Sequence, residues 1–148
     1  LGYDPAVKAF QKKPDKPADI LTCIDVLEHV EVTSIDNVLR DISELTSKFC
    51  FLIVDLQPAI KTLADGRNAH ILLGPRDWWV NTISKVFPHF ACFTIPHSSG
   101  FDQKLVFVAS RKAQVSPFMY IFMTKLHIFD TVMCGAGVKK VKDNNARE

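Results

Sequence analysis

The sequence predicts an α/β fold: a mostly parallel sheet whose buried strands are covered by helices on both faces. Three observations predict it. The runs ADILTCIDVL and FCFLIVDL are almost continuously apolar and rich in Ile, Leu and Val, as parallel strands covered on both faces are. Stretches of helical periodicity separate the buried runs, the pattern of right-handed crossovers in such a sheet. Asp4, Asp25 and Asp55 each close a strand-like segment, and ligands of open α/β sheets bind beyond the carboxyl ends of the strands.

In chain order, LGYDPA reads as the end of a strand and a turn punctuated by Gly2 and Pro5. KAFQKKPDKP is polar and carries prolines, so it reads as loop. ADILTCIDVL is the first full strand. Thr33 or Ser34 can cap a helix in which Ile35, Val38, Leu39, Ile42 and Leu45 recur at helical spacing. Asp36 falls near its favourable positive end and Lys48 near its negative end. FCFLIVDL is the second strand. PAIKTLADGRNAH is a loop with an Asp65-Gly66 turn signal. Pro75 suits the first position of a helix that places Trp79, Val80, Ile83, Val86 and Phe87 on one face. ACFTI and KLVFVAS read as a strand pair joined by the polar PHSSGFDQ.

The chain of 148 residues, 47% hydrophobic, is long enough for one domain with a real core. The net charge of +2 with scattered basic residues argues against a nucleic-acid-binding footprint. The late apolar run SPFMYIFMTKLHIFDTVMC is broken by Lys125, His127 and Asp130, which makes it a poor membrane span. Cys23, Cys50, Cys92 and Cys134 form no C-x-x-C pair, and the first three lie in apolar runs. They read as buried thiols of a reducing compartment. With no signal-peptide pattern in LGYDPAVKAFQKK, a cytoplasmic protein is expected. The basic end GVKKVKDNNARE reads as a solvated tail.

The stretch TCIDVLEHV holds the chemistry. Asp25, Glu28 and His29 stand at i, i+3 and i+4, which places them on one face of a helical turn. Two carboxylates and an imidazole suit a divalent ion such as Mg²⁺ or Mn²⁺, with positions left open for substrate oxygens. His70, in DGRNAHILL, comes from the loop after the next strand, on the same carboxyl-end side. The alternative is structural: Glu28 and His29 cap and pack the following segment, His29 serves as a plain structural residue or general base, and His70 is a surface loop residue. Trp78 and Trp79 cannot both face one core from a helix; one covers the sheet or lines a substrate pocket. His97, in PHSSG, could reach the active face; His89 follows Pro88 in a turn and has no assigned role, and His127 lies in the unassigned C-terminal segment.

GYDPA, ADILTCIDVLEHV and FCFLIVDLQPA in this order resemble the later part of a class I S-adenosylmethionine-dependent methyltransferase. The resemblance covers about residues 1–112, and residues 113–148 form an unassigned extension. It implies a Rossmann-like sheet with an antiparallel strand near the C-terminal edge and an incomplete N-terminal side. It implies that Asp4, with Pro5, stands where an acidic residue binds the cofactor ribose, and that Ile24 and Asp25 lie near the cofactor. Asp25, Leu27, Glu28 and His29 match a D-x-L-E-H pattern at the end of the family's fourth strand. In relatives that methylate oxygen with a metal, such as small-RNA 2′-O-methyltransferases and ubiquinone-pathway enzymes, a D/E-x-x-E-H cluster and a later His hold the ion. The resemblance therefore implies Asp25, Glu28, His29 and His70 as metal residues and Glu28 and His29 as catalytic ones. Two departures stand out. The family's Gly-rich G-x-G-x-G loop has no counterpart, since GAG at 135–137 follows no buried strand. The interval between Asp4 and Asp19 leaves little room for the usual third strand. The expectation is a fragment whose sheet a partner chain or a further N-terminal segment completes, or a non-catalytic interaction domain or inactive remnant. The methyl acceptor is not readable from the sequence.

Overall fold

Residues 2–96, 102–112 and 132–134 are described by the computed structural model. The two apolar runs form parallel strands, β1 (Ala18–Ile24) and β2 (Thr46–Asp55), in register from Ile20↔Phe49 to Ile24↔Ile53. Helix α1 (Ile35–Glu44) joins them, and helix α2 (Arg76–Ser84) leads from β2 to β3 (His89–Pro96). Strand β4 (Asp102–Ser110) then inserts between β2 and β3, antiparallel to both, and β5 (Val132–Cys134) pairs antiparallel with β3. The sheet order is β1-β2-β4-β3-β5. Strands β1, β2 and β3 thus share one direction, and the sheet is mixed rather than mostly parallel.

Both crossovers, β1-α1-β2 and β2-α2-β3, advance the same way across the sheet. Right-handed crossovers that advance together place their helices on one face. Ile35, Leu39 and Ile42 of α1 and Trp79 and Ile83 of α2 join Cys50, Leu52, Val54 and Phe107 in a single buried cluster. Helices on both faces are therefore not found among the described residues. The consequence falls on β1, which sequence reading placed under cover on both sides. It pairs only with β2 among the described residues, and Ile20 and Ile24 remain 65% and 47% exposed. A continuous apolar run has no period, so it cannot signal which face is open.

The helix ends differ from expectation in detail. Ser34 occupies the N-cap position of α1 but makes no side-chain cap bond. Its backbone is already helical (φ −107°, ψ −14°), whereas a capping side chain needs the extended conformation to reach back. Its carbonyl instead accepts from the Asn37 and Val38 amides. Lys48 lies within β2 and pairs with Asp19 of β1 at 2.7 Å, and the last turn of α1 is met by Lys13, 2.8 Å from Asp41. Pro75 sits one residue earlier than expected, as the N-cap of α2.

Gly2–Asp4 form no strand. Asp4 is exposed in a turn: its carboxylate accepts from the Ala6 amide, its amide donates to Phe10 and its carbonyl accepts from Val7. An aspartate that bonds its own neighbouring backbone competes with a strand ladder, and Pro5 after it removes a donor. Residues 5–17 contain no strand either. No described helix is long and apolar enough to cross a membrane.

Cys50 and Cys92 are buried and Cys23 partly so, and none of the three forms a disulfide. Burial pushes the Cys23 thiol up to about 12, with the Glu28 carboxylate adding to it, and raises Cys50 further by the same cause. A thiol is nucleophilic only as thiolate. Cys23 and Cys50 are therefore expected to resist an aromatic disulfide reagent at pH 8 until the chain is unfolded; rapid labelling of either in native buffer would contradict the packing described.

Candidate functional site

The site begins where β1 stops. The Asp25 amide still bonds the Ile53 carbonyl at 3.0 Å, continuing the ladder, but Asp25 takes φ +53° and turns the chain out of the sheet. Aspartate is one of the few residues with a Cβ that visits this left-handed region readily. A 3-10 turn, Leu27–His29, follows, anchored by the fully buried Leu27 side chain. Glu28 is carried into the interior beside it and is 0% exposed. Its Oε1 accepts from the Asp55 amide at 3.2 Å, at the carboxyl end of β2, and its Oε2 has no hydrogen-bond partner among the described residues. Burial raises the pKa of this carboxyl above its ordinary value, against the pull of backbone donors.

The loop after β2 supplies the third side chain. Leu63 and Arg67 close a tight turn through a 2.8 Å bond, and Gly66 there adopts φ +86°, a conformation open to glycine. The Asp65 carboxylate takes the Arg67 amide and its Nε, and the same guanidinium reaches Glu31 at 2.7 Å. The turn is thereby pinned to the segment after the 3-10 turn. Asn68 holds the loop internally: its Oδ1 accepts from the Ala59 and His70 amides, and its Nδ2 donates to the Ala59 carbonyl. The Leu72 amide bonds the Glu28 carbonyl at 3.0 Å.

These restraints bring Glu28, His29 and His70 together, with one ligand-type atom from each within 4.8 Å of the others. The two rings meet edge to face, 4.8 Å between centroids. His29 Nδ1 donates to the Ala69 carbonyl at 2.8 Å, and His70 Nδ1 donates to the Gln57 carbonyl. A carbonyl only accepts, so each ring carries a proton on Nδ1, which in the neutral tautomer leaves the lone pair on Nε2. Histidines that bind metals are oriented in this way, by a second hydrogen bond on the ring nitrogen that does not ligate. The donor set of one buried carboxylate and two imidazoles fits a divalent cation.

Asp25 lies outside this group. Lys104, at the start of β4, donates to its Oδ2 at 2.6 Å and stands 3.8 Å from Asp55 Oδ2. The ion pair with Asp25 raises the Lys104 pKa, so the side chain is a fixed cation between strand ends. Asp4 and Pro5 lie in the exposed N-terminal turn, and Ile24 ends β1 next to Asp25. His89 opens β3, at the opposite end of the sheet from the carboxyl ends of β1 and β2. His97, His127 and the 135–137 GAG fall outside the described residues. Trp79 is fully buried, and Trp78 packs against it edge to face at 4.9 Å while partly covering the core. Gly74 allows this approach, since a Cβ there would lie 2.7 Å from the Trp78 ring. Sequence reasoning missed Lys104, Asn68 and the Arg67–Glu31 pair. The cluster DGRNAH held a signal for two of them, because Asn and Arg directly before a candidate ligand in a turn are apt to position it.

No family model and no curated protein matches the sequence. Among solved structures, the chain is similar to a putative O-methyltransferase from Nostoc punctiforme, with 22% identity, a TM-score of 0.46, and coverage of 70% of this chain and 34% of that one. The chain thus spans about a third of that protein's length.

Proposed function

We propose that this chain is the metal- and acceptor-binding part of an S-adenosylmethionine-dependent methyltransferase that delivers a methyl group to an oxygen or nitrogen nucleophile. The observation that carries the reading is the convergence of Glu28, His29 and His70, with a buried Glu28 oxygen that has no partner among the described residues. These residues stand where the D-x-L-E-H resemblance expects a metal, at the carboxyl ends of β1 and β2. Antiparallel β4 agrees with the antiparallel strand expected among the last two. A divalent ion held there would supply a Lewis acid that lowers the pKa of an acceptor hydroxyl. Glu28 and the two histidine Nε2 atoms are its holders, the Ala69 and Gln57 carbonyls fix the rings, and Asn68 fixes the loop. The residues assigned to the cofactor fit less completely. Asp4 lies in an exposed turn rather than at a strand end, and the sequence has no G-x-G-x-G loop.

Calorimetric titration of the chain with Mn²⁺, and then with S-adenosylhomocysteine in its presence and absence, tests the reading. One Mn²⁺ site is expected, weakened about a hundredfold in His70→Ala, with S-adenosylhomocysteine bound more tightly when the metal is present. Metal binding with no binding of S-adenosylhomocysteine would sink the methyltransferase assignment while leaving a metal site. A folded chain that takes up neither would favour a second reading, a non-catalytic interaction domain. That reading draws on the β1 edge, which is open to strand addition among the described residues and flanked by exposed Ile20 and Ile24.

A further inference from the structure

The carboxylate nearest in sequence to the Glu28–His29 pair is tied to another group. Asp25 is three residues from Glu28 and close enough that its charge acts on it. Its orientation is nevertheless fixed from two sides. The backbone is held by the bond from its amide to Ile53, and the side chain by the 2.6 Å bond from Lys104. Lys104 comes from far along the chain and is delivered by sheet register, since it sits directly opposite Asp55 in the β2–β4 pairing. Its side chain, 26% exposed, reaches past β2 to Asp25. One ammonium thus serves Asp25 and Asp55, and the Glu28, His29 and His70 group is left with one carboxylate and two imidazoles.

The composition of that donor set has chemical consequences. Imidazole nitrogen suits the later first-row divalent ions, whereas Mg²⁺ favours carboxylate oxygen and water in octahedral array. Freeing Asp25 would add a second carboxylate to the set. We propose that Lys104 is a specificity-determining residue: by holding Asp25 away from Glu28, His29 and His70, it makes the centre select nitrogen-preferring first-row ions over Mg²⁺. The inference rests on the metal reading above and deepens it.

The test compares Co²⁺ and Mg²⁺ binding by calorimetry in the wild-type chain, Lys104→Gln, Lys104→Arg and Lys104→Gln/Asp25→Asn. Asparagine tolerates the left-handed backbone at position 25, so the double variant removes charge and not conformation. The wild type is expected to bind Co²⁺ about a hundredfold more tightly than Mg²⁺. Lys104→Gln should strengthen Mg²⁺ binding about tenfold and so narrow that ratio. The double variant should return the ratio to the wild-type value, and Lys104→Arg, which keeps the ion pair, should leave it unchanged. An unchanged ratio in Lys104→Gln, or a gain that persists without the Asp25 carboxylate, overturns the proposal and leaves the metal centre standing. A wild-type chain that binds neither ion overturns both.

Discussion

Trp79→Ala is expected to lower the unfolding free energy by about 3–5 kcal/mol, the range for removing a large buried aromatic side chain. Trp79 is fully buried and belongs to the one cluster that also holds Leu39, Leu52, Ile83 and Phe107. Its ring is packed against Trp78 and lies close to Gly74, at the exit of the loop that carries His70. The cavity left behind cannot close cheaply, because one wall is a β-sheet in fixed register. A domain of this size has only about 5–15 kcal/mol in total, so the variant should be close to unfolding at ordinary temperature. Trp79→Phe separates volume from hydrogen bonding. The indole Nε1 is buried with no acceptor among the described residues, so phenylalanine loses ring volume and none of the described bonds, and should cost no more than about half as much. Urea denaturation followed by circular dichroism measures both. A Trp79→Ala chain within about 1 kcal/mol of wild type, or a Phe variant as damaged as the Ala variant, would contradict this seating of the ring.

Side-chain spacing and strand pattern made part of this molecule legible, and the limits have identifiable causes. Local periodicity placed α1 correctly, because Ile35, Leu39 and Ile42 lie one helical turn apart and have one face to bury. The i, i+3, i+4 spacing of Asp25, Glu28 and His29 announced a shared site, but could not tell which of the three would enter it. That choice depends on Lys104, 79 residues away from Asp25, and on a backbone turn at Asp25 with positive φ. Long-range partners of this kind follow from sheet register, which no local window contains. The misreading of GYDPA has the opposite origin. A segment of so few residues, with Gly and Pro inside it, carries too little pattern to separate a strand end from an aspartate-anchored turn. The exposed face of β1 was illegible for a third reason: an unbroken apolar run describes a strand's capacity for burial, and whether that capacity is filled depends on what covers it.

Glu28→Gln is expected to make the metal-free protein more stable at neutral pH while abolishing its response to Mn²⁺. The sign follows from the direction of the carboxyl shift. Burial raises the Glu28 pKa in the folded state above its ordinary value of 4.5, so the folded chain binds this proton more tightly than the unfolded one. The associated stability is fully present below the unfolded pKa and is lost as pH rises through the folded pKa. Above that window the native state holds a buried carboxylate whose Oε2 has no donor among the described residues. Glutamine keeps an oxygen for the Asp55 amide and has no charge to desolvate. Its advantage should be absent below about pH 4 and should reach the order of 1 kcal/mol at pH 7 and above. Mn²⁺ should reverse the order. At a hundred times its dissociation constant, a ligand that binds only the native state adds about 2.7 kcal/mol, or a Tm rise of about 5–10 °C for a chain of this length, in the wild type and not in the variant. Melting curves of both proteins from pH 4 to 8, with and without the ion, read all four quantities. A variant less stable than wild type at pH 7 in metal-free buffer would mean that Lys104 or another cation already compensates the Glu28 charge. Equal stabilisation of both proteins by Mn²⁺ would place the ion elsewhere. The expected pattern, an empty protein strained by the same carboxylate that the ion relieves, is what a site kept for binding rather than for folding produces.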